Sequence, residues 1–163
     1  MAAPAIVVHS LAHAIAVLEA AAEAGRPVLL LSAVNAGLSV GAGWWREAVA
    51  AARDSVRSSP LGAQAEALLD CGDDAGAAQA ALREGVEAIV FGGRKDVFER
   101  LVDIAGQRGA RVLPARPQAA LDLADDFFAP PDALRRRVLA VLARGSPEIS
   151  ASGVARSQDD GSS

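Results

Sequence analysis

Side chains that could bind a charged ligand directly follow short apolar segments along much of this chain. They supply an imidazole, carboxylates, guanidinium groups and glycine backbone N–H groups, which together suit a small anionic or phosphorylated ligand. The candidate ligand-binding residues are His9, Ser10, Asn35, Asp70, Asp73, Gly92, Gly93, Arg94 and Arg116. The pattern identifies neither a cofactor nor a catalytic residue.

A parallel sheet would bring these residues to one edge. Five apolar segments separated by helical patterns are predicted to be its strands, near residues 5–8, 27–32, 66–71, 86–91 and 111–114. In α/β proteins the carboxyl ends of parallel strands form the edge where ligands bind. Each candidate lies at the end of one of these segments or shortly after it, so we expect them to share that edge.

The clearest unit in the chain runs from Glu66 to Gly93. It reads as a strand, a polar turn, an alanine-rich helix, a glycine and a second apolar strand. Asp73 or Asp74 can cap the helix at its start, and Gly85 can end it in the left-handed conformation. Two apolar strands joined by a helix predict parallel pairing.

Two architectures accommodate five such units. The favoured one is a five-stranded parallel sheet flanked by helices, in the flavodoxin-like order 2-1-3-4-5. The other is half of a (β/α) barrel. The first order makes strands one and three neighbours, so that His9 could act as a base for Cys71. A single cysteine in a strand more often serves packing.

Several further elements can be predicted from local signals. Asp96 should cap the helix that follows the fourth strand, and Gln118–Ala124 should form a short helix. A last helix should start at Asp132. We expect one α/β domain over residues 1–144 and a disordered polar tail over residues 145–163.

Composition argues against several classes of function. The net charge of −4 and a pI near 5.1 disfavour general binding to nucleic acids or acidic membranes. We expect a cytoplasmic protein, because the chain has one cysteine and no long apolar run. No metal site is predicted, because Ser10 should start a helix between His9 and His13 and so separate the two imidazoles.

The segment from Asp74 to Gly93, DAGAAQAALREGVEAIVFGG, resembles one unit of the phosphate-binding (β/α)-barrel enzymes, such as thiamin-phosphate synthases and the smaller aldolases. The resemblance covers about one eighth of the chain. It implies that Gly92 and Gly93 hold a phosphate group. The chain as a whole otherwise suggests a small α/β family of uncharacterised activity.

Two functions remain open from the sequence. The first is binding of a small anionic or phosphorylated metabolite at the carboxyl edge, with or without catalysis. The alternative is a non-catalytic protein that self-associates or binds a partner. Self-association is expected because four of the six aromatic residues form two adjacent pairs, Trp44–Trp45 and Phe127–Phe128. Adjacent residues on a helix point in different directions, so one ring of a pair tends to reach the surface.

Overall fold

The computed structural model describes residues 3–144. Its strands are β1 (Ala5–Val7), β2 (Leu29–Leu31), β3 (Glu66–Asp70), β4 (Ala88–Val90), β5 (Arg111–Leu113) and β6 (Ala119–Asp122). Its helices are α1 (Leu11–Ala24), α2 (Ala36–Ser39), α3 (Ala42–Ser55), α4 (Pro60–Ala63), α5 (Ala75–Arg83), α6 (Lys95–Gln107) and α7 (Pro131–Arg144). The predicted tail, residues 145–163, lies outside the described residues. Within residues 3–144, no helix is long and apolar enough to span a membrane.

All strands belong to one parallel sheet with the order β5-β4-β3-β2-β1-β6. The parallel α/β class and the five predicted strands are confirmed, as is parallel pairing of β3 with β4. The predicted strand count and the flavodoxin-like order are wrong. The described part of the chain has six strands, and β2 rather than β3 lies beside β1. From β1 to β5, each strand therefore pairs with the next one in sequence, as strands do in a (β/α) barrel.

The two faces of the sheet are covered differently. One face packs against the helices, where α7, α1, α3, α5 and α6 contact one another in that order. The other face forms a separate buried cluster that consists of strand residues: Ala5, Val7, Leu31, Leu68, Ala88 and Val90, with Leu29 and Leu113 against it. The six buried members of this cluster are at most 4% exposed. The helices therefore form a single outer layer, and the sheet curls around its inner face.

The connection between β5 and β6 requires this curvature. The two strands lie at opposite edges of the sheet, yet the link between them, Pro114–Gln118, has five residues. Fully extended, the six peptide steps from Leu113 to Ala119 span about 21 Å. In a flat sheet the five intervals between strands alone would separate these edges by about 24 Å. The two edges must therefore curve toward each other, and the link crosses the opening between them.

Helix ends agree with most of the predicted signals. The Ser10 hydroxyl accepts a hydrogen bond from the His13 N–H at 3.1 Å, and Asp74, rather than Asp73, accepts one from the Ala77 N–H at 2.7 Å. Gly85, with φ of +86°, follows α5 as predicted. The predicted Asp96 cap is wrong. Arg94 occupies the cap position of α6 and Asp96 lies in the first turn, where its charge still favours the helix dipole.

The segment predicted as a short helix, Gln118–Ala124, instead contains β6. Ala119, Leu121 and Asp122 pair with the three residues of β1, because the edge of β1 is otherwise unpaired. Leu123 beyond the strand is fully buried. Pairing with a distant strand has overridden a weak local helical preference.

Candidate functional site

The carboxyl edge of the sheet contains a buried ion pair between Asp70 and Arg116. One Arg116 nitrogen donates to Asp70 Oδ2 at 2.8 Å, and a second donates to the Ser32 carbonyl at 2.8 Å. The other Asp70 oxygen accepts the Gly72 N–H, also at 2.8 Å. The Asp70 side chain is 5% exposed and that of Arg116 is 24% exposed. Arg116 therefore ties the β5–β6 link to the ends of β2 and β3.

A second polar pair, His9 with Asp122, joins the ends of β1 and β6. His9 Nε2 lies 2.6 Å from Asp122 Oδ1, which also accepts the Ala124 N–H at 2.9 Å. Burial tends to raise the pKa of Asp122. The hydrogen bonds from His9 and Ala124 and the positive charges of His9 and Arg116 outweigh burial, so the pKa lies below its ordinary value of 3.8. Arg116 and His9 both lower the pKa of this carboxylate. Ser32 links the two pairs, because its carbonyl accepts from Arg116 and the residue lines a cavity together with His9. We call the two pairs and Ser32 the polar cluster.

His13 lies beneath His9 as a buried, neutral residue. Its Nδ1 accepts the His9 backbone N–H at 3.1 Å, which leaves the hydrogen on Nε2 facing the Asp126 carbonyl at 3.3 Å. Burial is the main cause of a pKa below 6.5, and the charge of His9 adds to it. The hydrogen bond to the Asp126 carbonyl and the charges of Asp126 and Asp122 oppose this shift. His13 therefore serves as a support for the backbone at His9.

The other predicted site residues are more dispersed. Arg94 is bonded to Asp96 within its own turn, at 2.9 and 3.1 Å, and its side chain is 80% exposed. Asp73 is exposed beside the cap of α5. Asn35 has a left-handed backbone, with φ of 58°, and its side-chain oxygen lies against Gly72. The structure therefore places His9, Asp70 and Arg116 in the polar cluster. Ser10 instead caps α1, and Arg94 is bonded to Asp96 of its own helix.

Gly92 and Gly93 follow β4 as the resemblance implies, but both have structural roles. The Gly92 N–H donates to the Gly72 carbonyl at 2.7 Å, so this group already has a protein acceptor. A Cβ atom at Gly93 would lie 2.5 Å from the Phe91 ring, which is too close without rearrangement. The glycine pair is therefore explained in part by packing, whether or not it contacts a phosphate.

Cys71 lies on the helix side of the sheet and is fully buried. Burial, with the charges of Asp70 and Asp74, raises the pKa of its thiol to about 12. Because β2 separates β1 from β3, the geometry required for His9 to act as its base is absent. The surroundings of Cys71 are therefore those of a side chain that packs in the core.

A cavity of about 80 Å³ opens beside His9. Ser32, Ser39, Val40 and Trp44 are among the residues that line it. The Ser32 hydroxyl donates to the Ala33 carbonyl and accepts the Asp70 N–H, so it is already bonded within the protein. Trp44 is 38% exposed whereas Trp45 is 2% exposed, so the tryptophan pair divides between surface and core. The His13 ring also touches Phe127, and Phe127 touches Phe128. Exposed aromatic side chains therefore lie near His9 and His13: Trp44 lines the cavity beside His9, and Phe127 packs against His13.

Two members of this cluster, Ser32 and Asp122, are absent from the predicted ligand set. Asp122 is missed because its segment is assigned to a helix. A signal is nevertheless present: Ala119–Asp122 reads A-A-L-D, and Ala67–Asp70 reads A-L-L-D. In both, a short apolar run ends in an aspartate at the carboxyl end of a strand. Comparing these two segments would have placed Asp122 at the same edge as Asp70.

The fold and this edge define an α/β protein with barrel-like strand order. No protein-family model matches the chain, and a search of curated proteins finds no significant match. Among solved structures, its fold is similar to that of a candidate fructose-1,6-biphosphate aldolase from Coccidioides immitis, with a TM-score of 0.53 and 21% sequence identity. The match covers 68% of this chain and 40% of that protein. The likeness is one of fold, and it agrees with the barrel-like resemblance of the segment Asp74–Gly93.

Proposed function

We propose that this protein binds a small ligand carrying a phosphate or carboxylate group at the carboxyl edge of its sheet, with Arg116 as the main cationic contact. The observation that carries the proposal is the position of the Arg116 guanidinium. Asp70 and Ser32 fix its orientation at the centre of the edge, and the side chain keeps 24% of its surface exposed. A guanidinium has five N–H donors, so two protein partners leave donors for an anion.

The charges around Arg116 are consistent with this role. Asp70 uses both of its oxygens on protein donors, and Asp122 is bonded to His9 and to the Ala124 N–H. These bonds hold the two carboxylates in place and partly offset their charge. The cavity next to His9, which Val40 and Trp44 also line, offers room for an uncharged part of a ligand. Pre-oriented donors reduce the cost of ordering the site when a ligand binds.

A thermal-shift titration tests the proposal. Inorganic phosphate and a set of phosphorylated metabolites should include at least one compound that raises the melting temperature, because binding to the native state adds RT ln(1 + [L]/Kd), about 2.7 kcal/mol at one hundred times Kd. Arg116→Gln should abolish the shift. Arg108→Gln, which removes the same charge from the exposed end of α6, should preserve it. An equal shift in the Arg116 variant, or no shift with any compound, would overturn the proposal.

Self-association is a second candidate, and the exposed phenylalanines favour it. Phe127 is 48% exposed and Phe128 is 94% exposed, on the loop between β6 and α7. Exposed aromatic rings next to polar residues are typical of interfaces. This second hypothesis requires no ligand. The carboxyl edge of the sheet and the neighbouring phenylalanines would then form a contact surface between protein molecules.

Light scattering at micromolar concentration separates the two candidates. A self-associating protein should show a mass above 16.6 kDa that Phe128→Ser returns to the monomer value. Leu61→Ser, which alters a 37% exposed leucine on α4, should leave the mass unchanged. A monomeric wild-type protein would exclude this candidate.

A further inference from the structure

We infer that His9 is the proton-accepting group of this edge and that Asp122 orients it. The inference rests on the proposed ligand site and extends it to a ligand that carries an ionisable proton beside its anionic group. His9 is accessible, since its side chain is 22% exposed and lines the cavity shared with Ser32 and Trp44. Arg116, which would hold the anionic group, is bonded to the carbonyl of Ser32, and Ser32 lines the same cavity as His9.

The tautomer of His9 follows from its partner. The pKa of Asp122 lies below its ordinary value, so the carboxylate is ionised near neutral pH and can only accept hydrogen bonds. The 2.6 Å contact therefore requires the hydrogen on His9 Nε2. In the neutral ring, Nδ1 then carries the lone pair. A carboxylate that accepts from one ring nitrogen thus fixes the tautomer and leaves the lone pair on the other nitrogen.

The proposed proton transfer needs only the ligand and His9, with no further reactant. An O–H, N–H or activated C–H bond of the ligand breaks, its electron pair stays on the ligand, and the proton moves to His9 Nδ1. The resulting imidazolium is stabilised by Asp122 at Nε2, while Arg116 stabilises negative charge on the ligand. Returning the proton to the ligand or to water regenerates neutral His9.

Neighbouring residues hold the imidazole in this orientation. The backbone of His9 is fixed by its N–H bond to His13 Nδ1, and the two rings meet edge to face with centroids 6.1 Å apart. Asp122 is in turn held by the Ala124 N–H. These contacts restrict the rotation of both side chains, so Asp122 acts as a positioning residue.

Acylation by diethyl pyrocarbonate, followed by mass spectrometry, tests whether the lone pair on His9 Nδ1 is accessible and reactive. The protein has two histidines, and His13 is fully buried with both ring nitrogens bonded, so it serves as an internal reference. His9 should react at least about tenfold faster than His13. Asp122→Asn should slow His9 by about tenfold, the scale on which residues that orient an imidazole act. Asp125→Asn, which removes the same charge from an exposed neighbour, should have little effect.

Two further readouts separate this inference from a structural role and from the ligand site. The ¹⁵N shifts of the imidazole should show the hydrogen on Nε2 in the wild-type protein and a changed tautomer population in Asp122→Asn. Inorganic phosphate should protect His9 from acylation in the wild-type protein and fail to do so in Arg116→Gln. Absent protection with fast, Asp122-dependent acylation would overturn the proposed ligand site alone. Equal acylation in the wild-type and Asp122→Asn proteins would overturn the inference about His9.

Discussion

Replacing Arg116 by alanine should lower the free energy of unfolding by about 2–4 kcal/mol, because it leaves the Asp70 carboxylate buried without its cation. Asp70 would keep the Gly72 N–H as a donor, and Arg116 is 24% exposed, so we expect less than the loss for a fully buried pair. The change also removes the bond to the Ser32 carbonyl that holds the β5–β6 link. Urea unfolding monitored by circular dichroism measures the effect.

The matched comparison is Arg94→Ala. Arg94 also forms an ion pair with an aspartate at the same edge, but its side chain is 80% exposed. Exposed ion pairs contribute little to the free energy of unfolding, so this variant should change it by less than about 1 kcal/mol. Adding Asp70→Asn to Arg116→Ala should recover part of the loss, because the unpaired charge is then gone. Equal losses for Arg116→Ala and Arg94→Ala would contradict this interpretation.

Truncating Leu134 to alanine should cost about 2–5 kcal/mol. Leu134, Val138 and Leu142 are buried on α7, which packs along α1, and Leu134 is 0% exposed. The geometry of the site should also change, because α7 follows β6 in the chain and helps to hold β6 where Asp122 contacts His9. We therefore expect the loss of stability to be accompanied by weaker orientation of the His9 ring.

Leu61→Ala provides the control, since Leu61 is 37% exposed and little apolar surface is lost there. Surface changes of this kind usually stay within about 0.5 kcal/mol. Denaturant midpoints of both variants give the comparison. A small effect at Leu134, with an unchanged slope of unfolding, would mean that α7 contributes little to the folded state.

The strands could be predicted from sequence because each is an apolar run bounded by a glycine or a polar turn. β3 and β4 lie where the Glu66–Gly93 unit predicts them, and Ser10 and Asp74 cap the helices that they precede. These are local signals, determined by a few adjacent residues. The buried position of Cys71 also agrees with the commoner role of a single cysteine in a strand.

The strand order could not be obtained in the same way. Both considered orders use the same strands and the same helical connections, so no local pattern distinguishes them. The distinguishing segment is Pro114–Gln118, which is too short to contain a helix and leads into β6. The site is equally non-local: Arg116 lies 46 positions from Asp70, and Asp122 lies 113 positions from His9. Such partners become visible only once the order of the strands is known.

The pairing of β1 with β6 has a consequence for the protein as it leaves the ribosome. Residues near the start of the chain meet their partners only after the last strand and helix have been synthesised, since β1 pairs with Ala119–Asp122 and α1 packs on Pro131–Arg144. Until then the nascent chain has an unpaired strand edge and an uncovered apolar helix face, two features that promote association between chains. Both features therefore persist while the residues between α1 and β6 are being translated.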